Sequence, residues 1–168
     1  MGHHEHRASA PTSLRVAVVS VSSTRTLATD AAGQWIAKRA GREGHQIVDH
    51  RVVDDDRDAI RENVLHLLAD AQPQAVIVTG GTGITPKDVT IEALRPLFTK
   101  ELTAFGPIFA QLSFEQVDSA AILSRASAGV IGGCIVFCLP GSLKACQLAC
   151  KALIFPELGH ACSHVGTR

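Results

Sequence analysis

A short glycine-rich loop, Gly80-Gly81-Thr82-Gly83, follows the apolar segment 75–79 and has the composition of an anion-binding turn. Glycine lets the backbone approach a ligand closely and turn its N–H groups toward a negative charge. Thr79 and Thr82 add hydroxyl donors. The loop is neither a Walker A loop, because no Gly-Lys-Ser/Thr follows, nor a dinucleotide-binding loop, because the third glycine is missing. These residues indicate a phosphate site or, alternatively, only a tight turn between a strand and a helix.

Carboxylates stand close to the expected ends of two strands. Asp88 lies shortly after the glycine loop and just before an expected helix. It therefore either caps that helix by accepting a backbone N–H or holds Mg²⁺ beside a phosphate. The run Asp54-Asp55-Asp56 directly follows segment 45–53. Adjacent carboxylates repel one another, which a bound cation would relieve, and a solvated turn is the alternative.

Two further segment ends carry polar residues. Leu139-Pro140-Gly141-Ser142 precedes an expected helix, where Ser142 is a good N-cap and the exposed N–H groups suit an anion. Asp30 holds the equivalent place after the first expected strand and opens the first expected helix. No His or Lys accompanies a Ser in a nucleophile elbow. The residues therefore favour phosphate and metal chemistry over hydrolysis through a serine nucleophile.

The elements that must position these residues follow from the alternation of apolar and helical patterns, which is typical of βαβ units in a parallel sheet. Segment 75–79 is apolar throughout, as in a strand buried on both faces, whereas 45–53 is half polar and is expected nearer an edge. The expected strands are 14–21, 45–53, 75–79 and 134–140, and the expected helices are 29–42, 57–70, 90–98, 101–117 and 143–155. Gly106-Pro107 must start, kink or break the fourth helix.

The pattern predicts one α/β domain with three α/β/α layers around a mostly parallel central sheet. We expect this domain to span residues 14–157, between a disordered leader at 1–13 and a C-terminal tail at 158–168. Open sheets of this kind bind ligands beyond the carboxyl ends of their strands. The polar residues described above are therefore expected to lie at one edge of the sheet.

The composition excludes several classes of protein. Lys plus Arg and Asp plus Glu both total 16, which gives a net charge of zero without the clustered positive charge of a nucleic-acid or membrane-surface protein. No apolar run approaches the roughly 20 residues that cross a bilayer. The leader lacks the apolar region of a signal peptide, so a cytoplasmic protein is expected. His3, His4 and His6 could bind a metal, but their polar, unpatterned surroundings favour an unstructured leader.

The five cysteines fit reduced thiols in a reducing compartment. Cys134 and Cys138 would lie on one face of a strand, about 13 Å apart and beyond disulfide reach. Cys146 and Cys150 are four residues apart in an expected helix. No histidine stands at zinc-finger spacing, so we expect the cysteines to be small apolar packing residues rather than metal ligands.

The segment Val78–Leu94 (VTGGTGITPKDVTIEAL) resembles the signature of the MoaB/MogA family of molybdenum cofactor biosynthesis proteins, which is also present in gephyrin and its plant counterpart. Five motifs in all follow the family's order, and the resemblance covers about residues 14–157. The other stretches that resemble the family are Phe105-Gly106, Leu112–Glu115, Leu123–Ala126 with Ala128-Gly129, and Leu139–Ala145.

The resemblance implies a MogA/MoaB-like molybdopterin-binding fold, and assembly as a homotrimer, sometimes paired into a homohexamer. It implies that the glycine loop and the last-strand loop hold the pterin phosphate, and it places the nucleotide near Ser22, Arg25 and Asp30. Two acidic positions needed for turnover fall on Asp88 and Asp55, with Asp54 and Asp56 as alternatives to the latter. The implied substrate-binding residues are Thr79, Gly80, Gly81, Thr82, Gly83, Ser113, Pro140, Gly141 and Ser142.

The implied activity is that of a molybdopterin adenylyltransferase. The phosphate oxygen of molybdopterin attacks the α-phosphorus of ATP, and pyrophosphate leaves. Asp55 and Asp88 are expected to position Mg²⁺ and the nucleotide, because bare carboxylates would repel ATP whereas a bound cation reverses the sign of the interaction. Molybdopterin and ATP are thus the expected ligands and a molybdenum insertase is a possible partner, with no nucleic acid or membrane involved.

Three positions depart from the family's pattern. Ser22-Ser23-Thr24-Arg25 stands where many members carry an Asp, Ala32 replaces a usual Ser, and Asp118 stands where Gly is common. Two alternative functions remain: a molybdopterin-binding paralogue with little or no transferase activity, and a nucleotide pyrophosphatase similar to the related domain of competence-damage-inducible proteins. The latter carry a Gly-Leu-Gly-Pro loop followed by paired aspartates, which Gly81–Asp88 does not match.

Overall fold

The computed structural model describes residue 11 and residues 13–166. Within them a single sheet contains β1 (Arg15–Val21), β2 (Gln46–Val53), β3 (Ala75–Thr79), β4 (Lys100–Glu101), β5 (Ser127–Ile131) and β6 (Cys134–Leu139). The strands lie in the order β2-β1-β3-β6-β5-β4. β2, β1, β3 and β6 are mutually parallel, whereas β5 is antiparallel to both of its neighbours. The expected mostly parallel sheet is confirmed, with β2 at an edge, and β4 and β5 extend it beyond the strands expected from the sequence.

Helices cover both faces of the sheet. They are α1 (Ala31–Arg42), α2 (Arg57–Ala71), α3 (Thr90–Leu94), α4 (Phe105–Val117), α5 (Leu143–Ala149) and α6 (Phe155–Gly166). Short 3-10 segments follow α3 at Arg95–Leu97 and α4 at Asp118–Leu123, and a π-helical segment, Cys150–Ile154, joins α5 to α6. Gly106-Pro107 lies in the first turn of α4, where proline's missing N–H leaves no helical hydrogen bond unmade.

The packed domain extends further than expected. The expected boundary at 157 falls inside α6, and Leu158 and Cys162 on that helix are buried in the core. They are four residues apart, so they lie on the same helical face and pack together. The structure therefore places residues 158–162 in the packed domain rather than in a separate tail. The expected leader, with its three histidines, lies almost wholly outside the described residues.

Alternate residues of the central strands pack in opposite layers, as the pleat of a strand requires. On β1, Val16 and Val18 pack with α1, α4, α5 and α6, whereas Ala17 and Val19 pack with α2 and α3. Fully burying one such aliphatic side chain stabilises the fold by about 1.5–3 kcal/mol. The two apolar layers hold the central strands between them and so fix the carboxyl edge from which the site is built.

The cysteines belong to these layers. All of them are free and buried, and burial raises the pKa of the Cys146 thiol to about 11. Replacing Cys146 or Cys150 by Ala should leave activity intact and lower the free energy of unfolding by about 1 kcal/mol, the modest packing term of a small side chain. Urea denaturation measures this loss. Cys150→Ser should cost more, because it places a hydroxyl in an apolar core. Loss of activity in the Ala variants, or stoichiometric zinc in the purified parent protein, would contradict a packing role.

Asp118 has a backbone conformation that suits glycine. It ends α4 with φ +51° and ψ −142°, a region that side chains with a Cβ rarely enter. This explains why glycine is common here in the family that the sequence resembles. Relief of strain should outweigh the entropic cost of glycine, so Asp118→Gly should raise stability by about 1 kcal/mol. Thermal melting measures the gain. Asp118→Ala keeps a Cβ and should give none, and equal melting of the two variants would count against strain.

Candidate active site

A cleft of about 520 Å³ opens at the carboxyl edge of the sheet. The loops that follow β1, β2, β3 and β6 all contribute to its lining. Because these four strands are parallel, their carboxyl ends meet at the same edge. The cleft also spans the boundary between β1 and β3, where the chain changes the direction in which it adds strands. Open α/β sheets bind ligands in such a crevice.

The glycine loop after β3 has a backbone that only glycine fits. Gly80 and Gly81 have φ of +98° and +63°. A Cβ on Gly80 would lie 2.4 Å from the Val21 carbonyl oxygen, and one on Gly81 would lie 2.4 Å from the Thr90 hydroxyl oxygen. The Thr90 hydroxyl in turn donates to the Gly80 carbonyl oxygen at 2.8 Å. The loop is therefore held against β1 and α3 with its glycines lining the cleft.

Thr82 carries an unsatisfied hydroxyl in this loop. Thr82 is among the residues that line the cleft, but it is only 2% exposed. Its Oγ1 has no hydrogen-bond partner among the described residues. A buried polar group without a partner costs about 1–3 kcal/mol, and a ligand oxygen in the cleft would recover that loss.

Arg125 fixes the far side of the same loop. Its Nε donates to the carbonyl oxygens of Thr82 and Gly83, both at 3.0 Å, and its Nη2 donates to that of Asp88 at 3.1 Å. The guanidinium also forms an ion pair with Glu92 on α3. The sequence motif contained Arg125 but did not indicate this role, because its partners lie far away along the chain. It is a positioning residue for the loop.

Asp88 lines the cleft and does not cap a helix. α3 begins after Val89 without any side-chain cap. Asp88 Oδ2 instead accepts the Thr85 N–H at 2.9 Å and the Thr85 hydroxyl at 2.7 Å. Burial acts to raise the pKa of Asp88, but the hydrogen bonds from Thr85 and Gly83 and the charge of Arg125 hold that pKa below its ordinary value. The carboxylate is therefore ionised at neutral pH.

The structure places the three adjacent aspartates in different surroundings. Asp55 lines the cleft, accepts the Ser23 hydroxyl at 3.2 Å and lies 3.8 Å from the Lys87 ammonium. Asp56 is the N-cap of α2 and accepts the N–H groups of Asp58 and Ala59. Asp54 is exposed and does not line the cleft. Of the three, Asp55 is thus the residue that can contact a ligand here.

The loop after β1 forms the opposite wall. The Ser22 hydroxyl accepts the N–H groups of Thr24 and Arg25, both at 3.2 Å, and so shapes the turn. Arg25 reaches across the cleft, and its Nη1 donates to the Gly141 carbonyl oxygen at 3.3 Å. Arg25 and Lys87 supply positive charge to a cleft that also contains Asp55 and Asp88. Lys87 was not assigned from the sequence, although it directly precedes Asp88.

Two residues expected in the site lie beneath it instead. Thr79 is wholly buried, and its hydroxyl donates to the Pro140 carbonyl oxygen at 3.0 Å, which joins the loops after β3 and β6. Asp30 is also wholly buried. It accepts the Ser20 hydroxyl at 2.5 Å and the Gly33 N–H at 3.0 Å, and lies 2.9 Å from His50 Nε2. The structure thus places Asp30 inside the fold rather than among the residues that line the cleft, because its hydrogen bonds cap α1 and join that helix to β1.

Ser113 and Ser142 lie at a second, mainly apolar cavity of about 500 Å³. The Ser142 hydroxyl accepts the Ala145 N–H at 3.2 Å and caps α5, as expected. Ser113 is largely buried on α4. Ser124 contributes to the walls of both cavities. The two serines are thus separated from the glycine loop, whereas Pro140 and Gly141 line the first cleft with it.

Fold and site together define an open α/β protein with a ligand crevice at the carboxyl edge of its sheet. Hydroxyls, glycine N–H groups, two cations and two carboxylates line this crevice. The model of the probable molybdopterin binding domain family matches residues 17–160. The chain belongs to this family, the MoaB/MogA family of molybdenum cofactor biosynthesis proteins.

Similar proteins cover nearly the whole chain. Molybdenum cofactor biosynthesis protein B of Bacillus subtilis is 48% identical over 161 residues, 95% of each chain. A crystal structure of a molybdenum cofactor biosynthesis protein B superimposes with a TM-score of 0.91 at 40% identity and covers 95% of this chain and 99% of its own. The crystal structure of the tungsten cofactor synthesizing protein MoaB from Pyrococcus furiosus superimposes with a TM-score of 0.84 at 34% identity, and the match covers 93% of this chain and 99% of its own.

No helix in the described part of the chain is long and apolar enough to cross a membrane.

Proposed function

We propose that the chain acts in molybdenum cofactor biosynthesis as a molybdopterin adenylyltransferase. In this reaction an oxygen of the molybdopterin phosphate forms a bond to the α-phosphorus of ATP. The bond between the α-phosphorus and the bridging oxygen breaks, and pyrophosphate leaves with that oxygen. The adenylylated pterin is an activated species suited to a later metal-insertion step by a separate protein.

The observation that carries the proposal is the unpartnered Thr82 hydroxyl inside a rigid glycine loop. A loop of glycines with one buried, unsatisfied donor suits a phosphate oxygen, which accepts hydrogen bonds. Arg25 faces the same cleft and could neutralise a second phosphate group. Two phosphate-bearing substrates placed between these groups would react in an enclosed, preorganised setting.

The two cavities suggest how the substrates divide between them. The polar cleft, with the glycine loop, Ser22 and Arg25, would hold the reacting phosphate groups and the nucleotide. The apolar cavity at Ser113 and Ser142 would accommodate the flat pterin ring. Ser124, in the wall of both, would stand where the pterin meets its phosphate-bearing arm.

The cleft residues fit a magnesium ion bound together with ATP. No group of three or more His, Cys, Asp or Glu in the described residues is placed to hold a metal. Mg²⁺ does not need one, because it is usually held by one or two carboxylates together with substrate phosphates and water. Asp55 and Asp88 would supply these carboxylates. When bound, the ion would neutralise negative charge on the phosphate groups.

The direct test is incubation with ATP, Mg²⁺ and molybdopterin, followed by mass detection of the product. Transfer adds one adenylyl group to the pterin and releases pyrophosphate only when molybdopterin is present. Binding of the pterin without product would indicate the non-catalytic paralogue. Pyrophosphate release in the absence of pterin would indicate a nucleotide pyrophosphatase. Either of these results contradicts the proposal.

We also propose that the chain assembles in trimers or multiples of three. On α4, Phe105 and Phe109 pack within the home domain, whereas Phe114 and Val117, which are three residues apart on one face of the helix, are 55% and 50% exposed. A neighbouring subunit would cover this exposed apolar pair. Light scattering at micromolar concentration should give at least a trimer mass for the parent chain, and Phe114→Glu should lower that mass. Leu65→Glu on α2 is the matched control. A monomeric parent would contradict assembly.

A further inference from the structure

Two histidines on α6 converge on one point, near the opposite end of the continuous α5–α6 helix from the cleft. His160 and His164 are four residues apart, so their side chains share a helical face. Their ring centroids are 4.6 Å apart, with an angle of 61° between the ring planes. The two Nε2 atoms are 2.9 Å apart.

The surroundings of His160 determine which ring nitrogen is available. His160 Nδ1 lies 3.3 Å from Glu157 Oε2. With Nδ1 directed at this carboxylate, Nε2 is the ring nitrogen in position to act as a metal ligand. A carboxylate behind a histidine in this manner is the usual arrangement that orients metal-ligating imidazoles.

We propose that Nε2 of His160 and Nε2 of His164 chelate a divalent copper or nickel ion. Two donors about 2.0 Å from a metal and at right angles to each other are about 2.8 Å apart, which is close to the observed separation. Square-planar and tetragonal nitrogen sites select Cu²⁺ and Ni²⁺, and Cu²⁺ binds most tightly in the divalent series. Tetrahedral Zn²⁺ would need the nitrogens about 3.3 Å apart and should bind more weakly.

Within the described residues, His160 and His164 are the two ligands of the proposed chelate. Cys162 lies between the histidines in sequence but on the opposite side of the helix. It is buried, with its Sγ 3.6 Å from the Gln74 carbonyl oxygen, and does not face the pair. The proposed chelate is independent of the proposed adenylyl transfer.

The test is titration of the chain, residues 1–168, with Cu²⁺, followed by calorimetry and electron paramagnetic resonance. His3, His4 and His6 are first replaced by Ala so that the leader cannot bind copper. One equivalent should bind with a spectrum showing nitrogen ligands. His160→Ala or His164→Ala should weaken binding by roughly 100-fold, the loss expected when a chelate becomes a single ligand. Glu157→Gln should weaken it about tenfold by releasing His160.

His66→Ala on α2 is the matched control, because His66 is exposed and no histidine stands four residues from it in the sequence. This variant should bind copper like its parent. Thermal melting without metal shows whether each variant keeps its fold. If copper binding is absent, or is equally strong after His160→Ala and His66→Ala, the 2.9 Å contact is only a hydrogen bond between two rings, and the proposal is overturned.

Discussion

Asp88→Asn is expected to cut the rate of adenylyl transfer by roughly 100-fold, the usual loss when charge that stabilises a transition state is removed. Molybdopterin affinity and melting temperature should change little. The Asn side chain keeps an oxygen that can accept the Thr85 N–H and hydroxyl, so the loop geometry is retained. What disappears is the negative charge that would hold a cation beside ATP. Steady-state rates, pterin binding and thermal melting on this one variant separate these effects.

The acidic run after β2 supplies matched controls. Asp55→Asn should also lower the rate, because Asp55 lines the cleft with Asp88. Asp54→Asn should change neither rate nor stability. Asp56→Ala removes the N-cap of α2 and should lower stability by about 1 kcal/mol with nearly normal turnover. Normal turnover in Asp88→Asn would show that its carboxylate serves only the loop.

Arg125→Met is expected to have the largest combined effect on stability and turnover. It leaves three loop carbonyl groups without their donor and Glu92 without its partner. The ion pair is partly exposed and contributes little by itself. The lost bonds to the backbone should cost about 2 kcal/mol in total, which lowers the melting temperature by about 4–8 °C. The rate should fall as well, because the glycine loop is no longer fixed.

Conservative variants identify the cause. Arg125→Lys keeps the positive charge but not the planar fork, so it should recover little of the loop's rigidity. Glu92→Gln removes only the ion pair and should be nearly neutral in stability. Arg95→Met breaks the exposed Arg95–Glu101 pair and is the matched surface control. Full activity in Arg125→Lys would indicate that charge, rather than the fork of donors, maintains the loop.

Much of the fold could be predicted because the central strands are apolar and the helices amphipathic. Segment 75–79 corresponds to β3 with the same bounds, and the half-polar segment 45–53 contains the edge strand β2. Polar residues at the ends of these strands lie in the cleft because parallel strands share one carboxyl edge. β5 was missed because Ser127–Ile131 contains Gly129 and lacks the unbroken apolar run of β3, and because β5 pairs antiparallel with β6.

The site was predicted less completely because a residue type does not show where its side chain points. Thr79 and Asp30 were expected to contact ligands, but both side chains are hydrogen-bonded inside the fold. Thr79 donates to the Pro140 carbonyl oxygen, and Asp30 accepts the Gly33 N–H at the start of α1. Asp55 could be chosen over Asp56 only after the helix start at Arg57 was known. A His-x-x-x-His spacing at His160 was visible in the sequence, but only the structure shows that the two nitrogens meet.

The buried position of Asp30 makes the stability of the fold depend on pH. Burial raises the pKa of Asp30, but hydrogen bonds from the Ser20 hydroxyl, His50 and the Gly33 N–H outweigh burial and hold the pKa below its ordinary value. The unfolded chain therefore takes up a proton here at a higher pH than the folded chain does. The stabilisation is fully present above a pH of about 4 and is lost as the pH falls through the lower, folded-state pKa. Because Asp30 at the start of α1 contacts both β1 and β2, acid should loosen the β2 edge of the sheet.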